Sequence, residues 1–157
     1  MRKIQLVLVA LIVLILSAFK ADHVITIYMI GDSTMSNKPL EGNNQERGWG
    51  HVLGSFFTED VRVENHAMNG RSSKSFIDEG RWETVVNKIR PGDYVFIQFG
   101  HNDEKPQPER HTDPGTTFDE NLRKFVRETR AKGGIPVLFN SIVRRNFDVN
   151  PDSVAAD

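Results

Sequence analysis

The chain contains no cysteine among its 157 residues. Disulfides and thiolate metal sites are therefore excluded, and the fold has to be stable by packing alone. It also lacks an excess of either charge, with 20 Lys and Arg against 21 Asp and Glu and a formal net charge of −1. Binding to nucleic acid depends on clustered Lys and Arg that neutralise phosphates, so this balance offers no general attraction to a polynucleotide. No internal repeat, low-complexity tract or linker of the kind that separates domains interrupts the sequence. What remains, 38% apolar and 26% charged, is an ordinary globular mixture, and the length suits one domain with one core.

Long apolar runs are confined to the start. Arg2 and Lys3 precede a nearly continuous apolar stretch from Leu6 to Leu16, followed by the small residues Ser17 and Ala18. This pattern reads as a secretory signal peptide over approximately residues 1–21, which leaves 22–157 as the folded domain and predicts a secreted or periplasmic location. The run is shorter than the roughly 20 apolar residues that span a bilayer, so no stable membrane insertion is expected after cleavage.

Beyond it, strands and helices alternate. Val24 to Ile30 is a β-branched and aromatic run closed by Gly31. Trp49 to Phe57 is helical by pattern, Val61 to Val63 suggests a second strand, and Trp82 to Ile89 a helix stopped by Pro91-Gly92. Tyr94 to Phe99 reads as a third strand. Phe118, Leu122, Phe125 and Val126 form one apolar stripe on a helix that ends at Gly133-Gly134, and Ile135 to Phe139 would be a fourth strand. Parallel crossovers need a dozen or more residues, usually a helix, so the alternation predicts a three-layer α/β fold with a parallel sheet. The polar segments 37–47 and 104–115 then become long loops after strand C-termini, where ligands bind in open α/β sheets.

Three residues of suitable chemistry follow successive strand ends. Ser33 lies just past the first strand, in a turn begun by Gly31, where a hydroxyl can serve as a nucleophile. Gly70 follows the second strand, and without a side chain its backbone N–H can approach a ligand closely. Asn102 follows the third, offering an uncharged amide donor suited to an oxyanion and useless as a base. Taken singly, each has a plainer reading: Ser33 as a turn cap, Gly70 as a left-handed turn, Asn102 as an Asx-turn. Their convergence on one sheet edge is what points to acyl transfer.

The blocks Gly31-Asp32-Ser33-Thr34-Met35, Gly48-Trp49-Gly50, Asn69-Gly70-Arg71-Ser72-Ser73, Glu79-Gly80-Arg81, Pro91-Gly92-Asp93-Tyr94-Val95 and Phe99-Gly100-His101-Asn102-Asp103 resemble the SGNH (GDSL-like) hydrolases, and within them the rhamnogalacturonan acetylesterase group. The resemblance implies a flavodoxin-like three-layer sandwich and Ser33 as nucleophile. Its oxyanion hole would be made by the N–H groups of Ser33 and Gly70 and the side chain of Asn102. It further implies a Ser-His-Asp triad, no metal and no cofactor, and removal of acetyl groups from plant cell-wall polysaccharide. Members of the family carry the triad acid and base as Asp-x-x-His after the last strand. None of the eleven Asp residues here has a His three positions later. The expectation is an N-terminal portion of the hydrolase domain, with the last strand and helix missing, that deacetylates slowly or not at all by itself.

Other residues carry a choice of roles. Arg71 and Arg81 can meet the carboxylates of an acidic pectic backbone or serve as salt-bridge partners. Trp49 can stack on a sugar or belong to the core, and Asp32 can fix its turn or pair with an arginine. His101 is a substrate-side candidate that reads more simply as a structural imidazole; a His101-Asp103 metal site lacks further ligands at suitable spacing. Three functional readings stand: a pectin acetylesterase, an esterase of the same mechanism acting on xylan, another acetylated glycan or a lipid, and a noncatalytic carbohydrate-binding module.

Overall fold

The computed structural model describes residues 24–142. The expected signal peptide lies outside the described residues. Four parallel strands form one sheet in the order β2-β1-β3-β4, with β1 Ile25–Gly31, β2 Val61–Asn65, β3 Tyr94–Gln98 and β4 Ile135–Leu138. The central strand β1 is buried on both sides from Thr26 to Gly31, as its unbroken β-branched and aromatic character requires. Pairing of Ile27 with Val63 on one side and Tyr94 on the other sets the register, and the two-residue side-chain period divides the core into two faces.

One face carries Tyr28, Ile30, Val95, Ile97 and Phe99 and is covered by three helices: α1 Ser73–Asp78, α2 Arg81–Val86 and α3 Thr117–Ala131. The stripe Phe118, Leu122, Phe125, Val126 on α3 packs here as its spacing predicts, and Phe125 lies between the rings of Trp82 and Phe99. Gly133 and Gly134 end α3 by donating to the carbonyls of Arg130 (2.9 Å) and Thr129 (3.0 Å), a Schellman arrangement. Helix α1 has no counterpart in the sequence reading, because its only apolar residues, Phe76 and Ile77, are adjacent and show no helical spacing. It is set instead by a reciprocal cap: Ser72 Oγ accepts from Ser75 N–H (3.1 Å) while Ser75 Oγ accepts from Ser72 N–H (2.9 Å).

The opposite face carries Ile27, Met29, Tyr94 and Phe96 and packs on Met35, Ala67, Trp49 and Leu53. The helix expected over Trp49 to Phe57 is replaced by two short 3-10 turns, Trp49–His51 and Leu53–Phe56. Glycines at 48, 50 and 54 lower its helical propensity, and the backbone is recruited elsewhere. Trp49 N–H donates to Thr34 O (2.9 Å), and a Cβ on Gly48 or Gly50 would meet Ser36 O at 2.2 Å or Met35 O at 2.6 Å. The segment lies directly against the turn that follows β1.

Candidate active site

The turn after β1 is built by Asp32. Its carboxylate is almost fully buried, and Oδ1 accepts from both the backbone N–H and the hydroxyl of Thr34, each at 2.8 Å. Its backbone carbonyl accepts from Met35 N–H (3.3 Å) and Ser36 N–H (3.0 Å). This is the side-chain-stabilised turn that Asp favours, and it settles the choice for Asp32 on fixing the turn. Ser33 sits at its apex, partly exposed, and lines a cavity of about 460 Å³ together with Thr34, Lys38, Glu46, Arg47 and Asn69.

After β2 the chain runs along the end of β1: His66 N–H donates to Met29 O (2.8 Å) and Met68 N–H to Gly31 O (2.9 Å). These bonds deliver Asn69 and Gly70 to the Ser33 turn. Asn69 Oδ1 then accepts from Ser36 Oγ (2.6 Å) and Lys38 Nζ (2.7 Å), and Ser36 Oγ also reaches Ser33 O (3.5 Å). Gly70 has φ +75°, a conformation costly for other residues, and a Cβ there would meet nothing within 4 Å. Glycine is needed here for backbone shape rather than for crowding.

After β3, Asn102 is 3% exposed and donates through Nδ2 to Arg71 O (3.0 Å), the carbonyl next to Gly70. Asp103 fixes this loop from inside. It accepts from Gly100 N–H (3.1 Å), Thr112 Oγ1 (3.0 Å), and Ser73 N–H (2.9 Å) and Oγ (2.5 Å), so it ties the β3 rim to the start of α1. Burial pushes the Asp103 carboxyl above its ordinary value, against the hydrogen bonds from Ser73, Thr112 and Gly100, which lower it. The Ser33 turn, the Asn69-Gly70 loop and the Asn102 loop thus meet at the C-terminal rim of the sheet, where Ser36 and Lys38 join the first two and Asn102 the last two.

The remaining sequence candidates are placed as follows. Trp49 is partly buried, donates through Nε1 to Gln98 Oε1 (2.7 Å), and packs against Phe139. Because Gln98 Oε1 also accepts from Thr34 Oγ1 (3.2 Å), Trp49 braces the Ser33 turn from below. Arg71 Nε donates to both oxygens of Glu79 (3.1 Å each) and Arg81 Nε to Glu79 Oε2 (2.5 Å). Those bonds, that of Arg81 foremost and then that of Arg71, hold the Glu79 carboxyl below its usual range against partial desolvation. Arg71 also lines a second cavity of about 450 Å³ with Gly70, beside the first, since Asn69 borders both. His101 Nε2 contacts the backbone carbonyl of Ile142. Sequence reasoning singled out neither Ser36, Lys38 and Asn69 as a unit nor the Gln98 brace; both consist of common polar residues whose partners are remote in the chain. Asp103 closes the segment Phe99-Gly100-His101-Asn102-Asp103, and the buried Phe99 at its head is the sequence signal that Asp103 lies inside.

Comparison with known proteins places this geometry. A family model described as the GDSL-like Lipase/Acylhydrolase family matches residues 29–156. The chain is 45% identical over 126 residues to rhamnogalacturonan acetylesterase RhgT of Bacillus subtilis, covering 80% of this chain and 53% of that protein. It is 40% identical over 129 residues to the probable rhamnogalacturonan acetylesterase YesY of the same organism, covering 82% of this chain and 57% of that one. The chain therefore spans about half the length of these relatives. The crystal structure of Bacillus subtilis YxiM is similar over 74% of this chain and 32% of its own, with a TM-score of 0.66 and 32% identity.

Proposed function

Since the chain belongs to the GDSL-like lipase/acylhydrolase family, we propose that it carries the nucleophile and oxyanion donors of a carbohydrate acetylesterase acting on acetylated rhamnogalacturonan. Family membership and the names of the relatives RhgT and YesY support the reaction and the substrate. The observation that carries the reading is the clamp on Asn69, which holds the Ser33 turn against the Gly70 loop at the mouth of a cavity.

In this reading Ser33 Oγ attacks the acetyl carbonyl and the carbonyl oxygen becomes an oxyanion. The N–H groups of Ser33 and Gly70 and the amide of Asn102 receive that charge. Asn102 gives one of its two amide hydrogens to Arg71 O, which orients the group and leaves the other for the oxyanion. Donors aimed in advance at developing charge are worth about 3 kcal/mol each. Collapse of the tetrahedral species expels the sugar hydroxyl and leaves acetyl-Ser33, which water cleaves to acetate. The hydroxyl of Ser33 is a weak nucleophile until a base takes its proton. No Asp in the sequence has a His three residues on to take that proton. We also propose export, on the strength of Arg2, Lys3 and the apolar run Leu6 to Leu16.

An activated aryl phosphonate tests the assignment. Mass spectrometry is expected to show the adduct on the Ser33 peptide, formed faster when free imidazole supplies a base, and abolished in Ser33→Ala. An adduct of equal yield in Ser33→Ala sinks the proposal. Release of acetate from acetylated pectin, compared with acetylated xylan, decides between the glycans.

A further inference from the structure

Of the asparagines in the chain, Asn69 alone precedes a glycine. In such a step the main-chain nitrogen of the next residue can add to the side-chain carbonyl, because glycine has no side chain to obstruct the approach. The reaction needs access, a free nucleophile and a polarised carbonyl, and all three are met here. Asn69 is exposed and borders both rim cavities, which open to water. The N–H of Gly70 has no hydrogen-bond partner among the described residues, and a Cβ on Gly70 would meet nothing within 4 Å. Asn69 Nδ2, the group that has to leave, is likewise without a partner among them.

Polarisation of the carbonyl is what sets Asn69 apart. Its Oδ1 accepts at once from Ser36 Oγ (2.6 Å) and Lys38 Nζ (2.7 Å). An ammonium can only donate, so the atom facing Lys38 is the oxygen and not the amide nitrogen. Lys38 is buried, and its one carboxylate neighbour among the described residues is Glu46 at 3.5 Å, whose side chain is 76% exposed and neutralises it weakly. A hydroxyl and a cation fixed on a carbonyl oxygen stabilise the negative charge that the oxygen gains when a nucleophile adds. Neighbouring asparagines lack this combination. Asn65 precedes His66 and has its Nδ2 tied to Met35 O and Asn37 Oδ1 (2.9 Å each), and Asn102 precedes Asp103 and is buried.

We propose that Asn69 is a self-modification site, at which the folded chain promotes its own deamidation. Gly70 N gives up its proton to hydroxide or a buffer base and forms a bond to Asn69 Cγ. Ser36 and Lys38 hold the tetrahedral oxyanion. Its collapse breaks the Cγ–Nδ2 bond, and Nδ2 takes a proton from water and departs as ammonia. Water then opens the cyclic imide at one of its two carbonyls, giving aspartate or isoaspartate, so that the balance is water consumed and ammonia released. Isoaspartate routes the main chain through Cγ and inserts a methylene ahead of Gly70. On the acetylesterase reading, on which this consequence alone rests, that methylene carries the Gly70 N–H out of the oxyanion hole and gives the site an inbuilt lifetime.

Peptide mapping tests the modification without requiring turnover. The protein is incubated at neutral to mildly alkaline pH and digested with trypsin, and mass spectrometry follows the peptide Val63–Arg71, which holds Asn65 beside Asn69 as an internal control. Asn69 is expected to show the mass change of an amide turned into an acid, with the two products separated by chromatography, while Asn65 stays intact. The folded protein is expected to convert about tenfold faster than the chain unfolded in guanidinium chloride, and Lys38→Met and Ser36→Ala to bring the folded rate down toward the unfolded one, as loss of donors to a developing oxyanion implies. A loosened loop by itself would speed the reaction. A folded rate no higher than the unfolded one, or a rate unchanged or raised in the two folded variants, therefore overturns the proposal. Phosphonylation of Ser33 in the isoaspartate fraction is expected to fall at least about tenfold. Unchanged labelling of that fraction overturns the effect on the site, whereas fresh protein that fails to label at Ser33 removes the esterase reading and leaves the deamidation standing.

Discussion

The two faces of the sheet are built to different standards of cover. Three helices seal Tyr28, Ile30, Val95, Ile97 and Phe99 on one side, whereas two 3-10 turns lie over Ile27, Met29 and Phe96 on the other and leave Phe56 78% exposed. The helical face is a stability device, remote in its logic from the chemistry. The sparser face is where the backbone of Gly48 and Gly50, the indole of Trp49 and the amide of Gln98 press on the turn that presents Ser33. A protein can place its packing energy on one side of a sheet and its precision on the other, provided the central strand serves both.

The sharpest break in that comparison comes from paired truncations. Phe125→Ala empties a site enclosed by Trp82 and Phe99 and is expected to cost about 3–5 kcal/mol in urea denaturation. Phe56→Ser, on the sparse side, is expected to change stability by no more than about 0.5 kcal/mol while improving solubility. A similar loss at both positions would mean that the faces contribute alike. Next in size, Asp32→Ala strips the Ser33 turn of its acceptor for Thr34 and is expected to cost about 1–3 kcal/mol. Because that turn presents the Ser33 hydroxyl proposed to react, phosphonylation of Ser33 should slow by more than the lost stability accounts for; an unchanged rate in a folded Asp32→Ala sample argues that the turn is not what presents the hydroxyl.

The smallest effect is a pH dependence at the edge of the helical face. His66 lies over Tyr28 and beside Glu64 Oε2 at 3.3 Å, with Lys88 Nζ on the same Oε2 at 3.1 Å. Burial lowers the His66 pKa below 6.5, and Glu64 opposes the shift without reversing it. The folded protein therefore holds fewer protons at this site than the unfolded chain just below that value. The stability His66 contributes is present above pH 6.5 and lost as pH falls through its folded pKa. Denaturation midpoints taken from about pH 7.5 down to about pH 5 should decline in the unaltered protein and flatten in His66→Gln. A decline of the same slope in His66→Gln assigns it to other groups.

Legibility followed the same division. The strands and the long α3 stripe were readable because burial against a sheet imposes a period on the residues, and Phe118, Leu122, Phe125 and Val126 display it without help from the rest of the chain. The helix expected over Trp49 to Phe57 was not formed, because the apolar pattern there answers to contact with the Ser33 turn rather than to a helical axis. At the rim, Ser33, Gly70 and Asn102 could be picked out by chemistry and position after strand ends. That Arg71 and Arg81 share Glu79 could not, since neither residue's type or spacing reveals that one carboxylate folds back onto both.

By itself, the amino-acid sequence determined the alternation of parallel strands and helices, the residues that fill the helical side, and the order in which a hydroxyl, a glycine amide and a carboxamide follow the strand ends. These are local or periodic properties, written in residue type and spacing. Only the tertiary structure decided that Lys38 and Ser36 meet on Asn69, that Gln98 braces the Ser33 turn, and that Asp103 is buried between β3 and α1. Each joins groups some thirty or more positions apart, and a hydrogen bond carries no trace in composition until the chain has closed the loop that makes it.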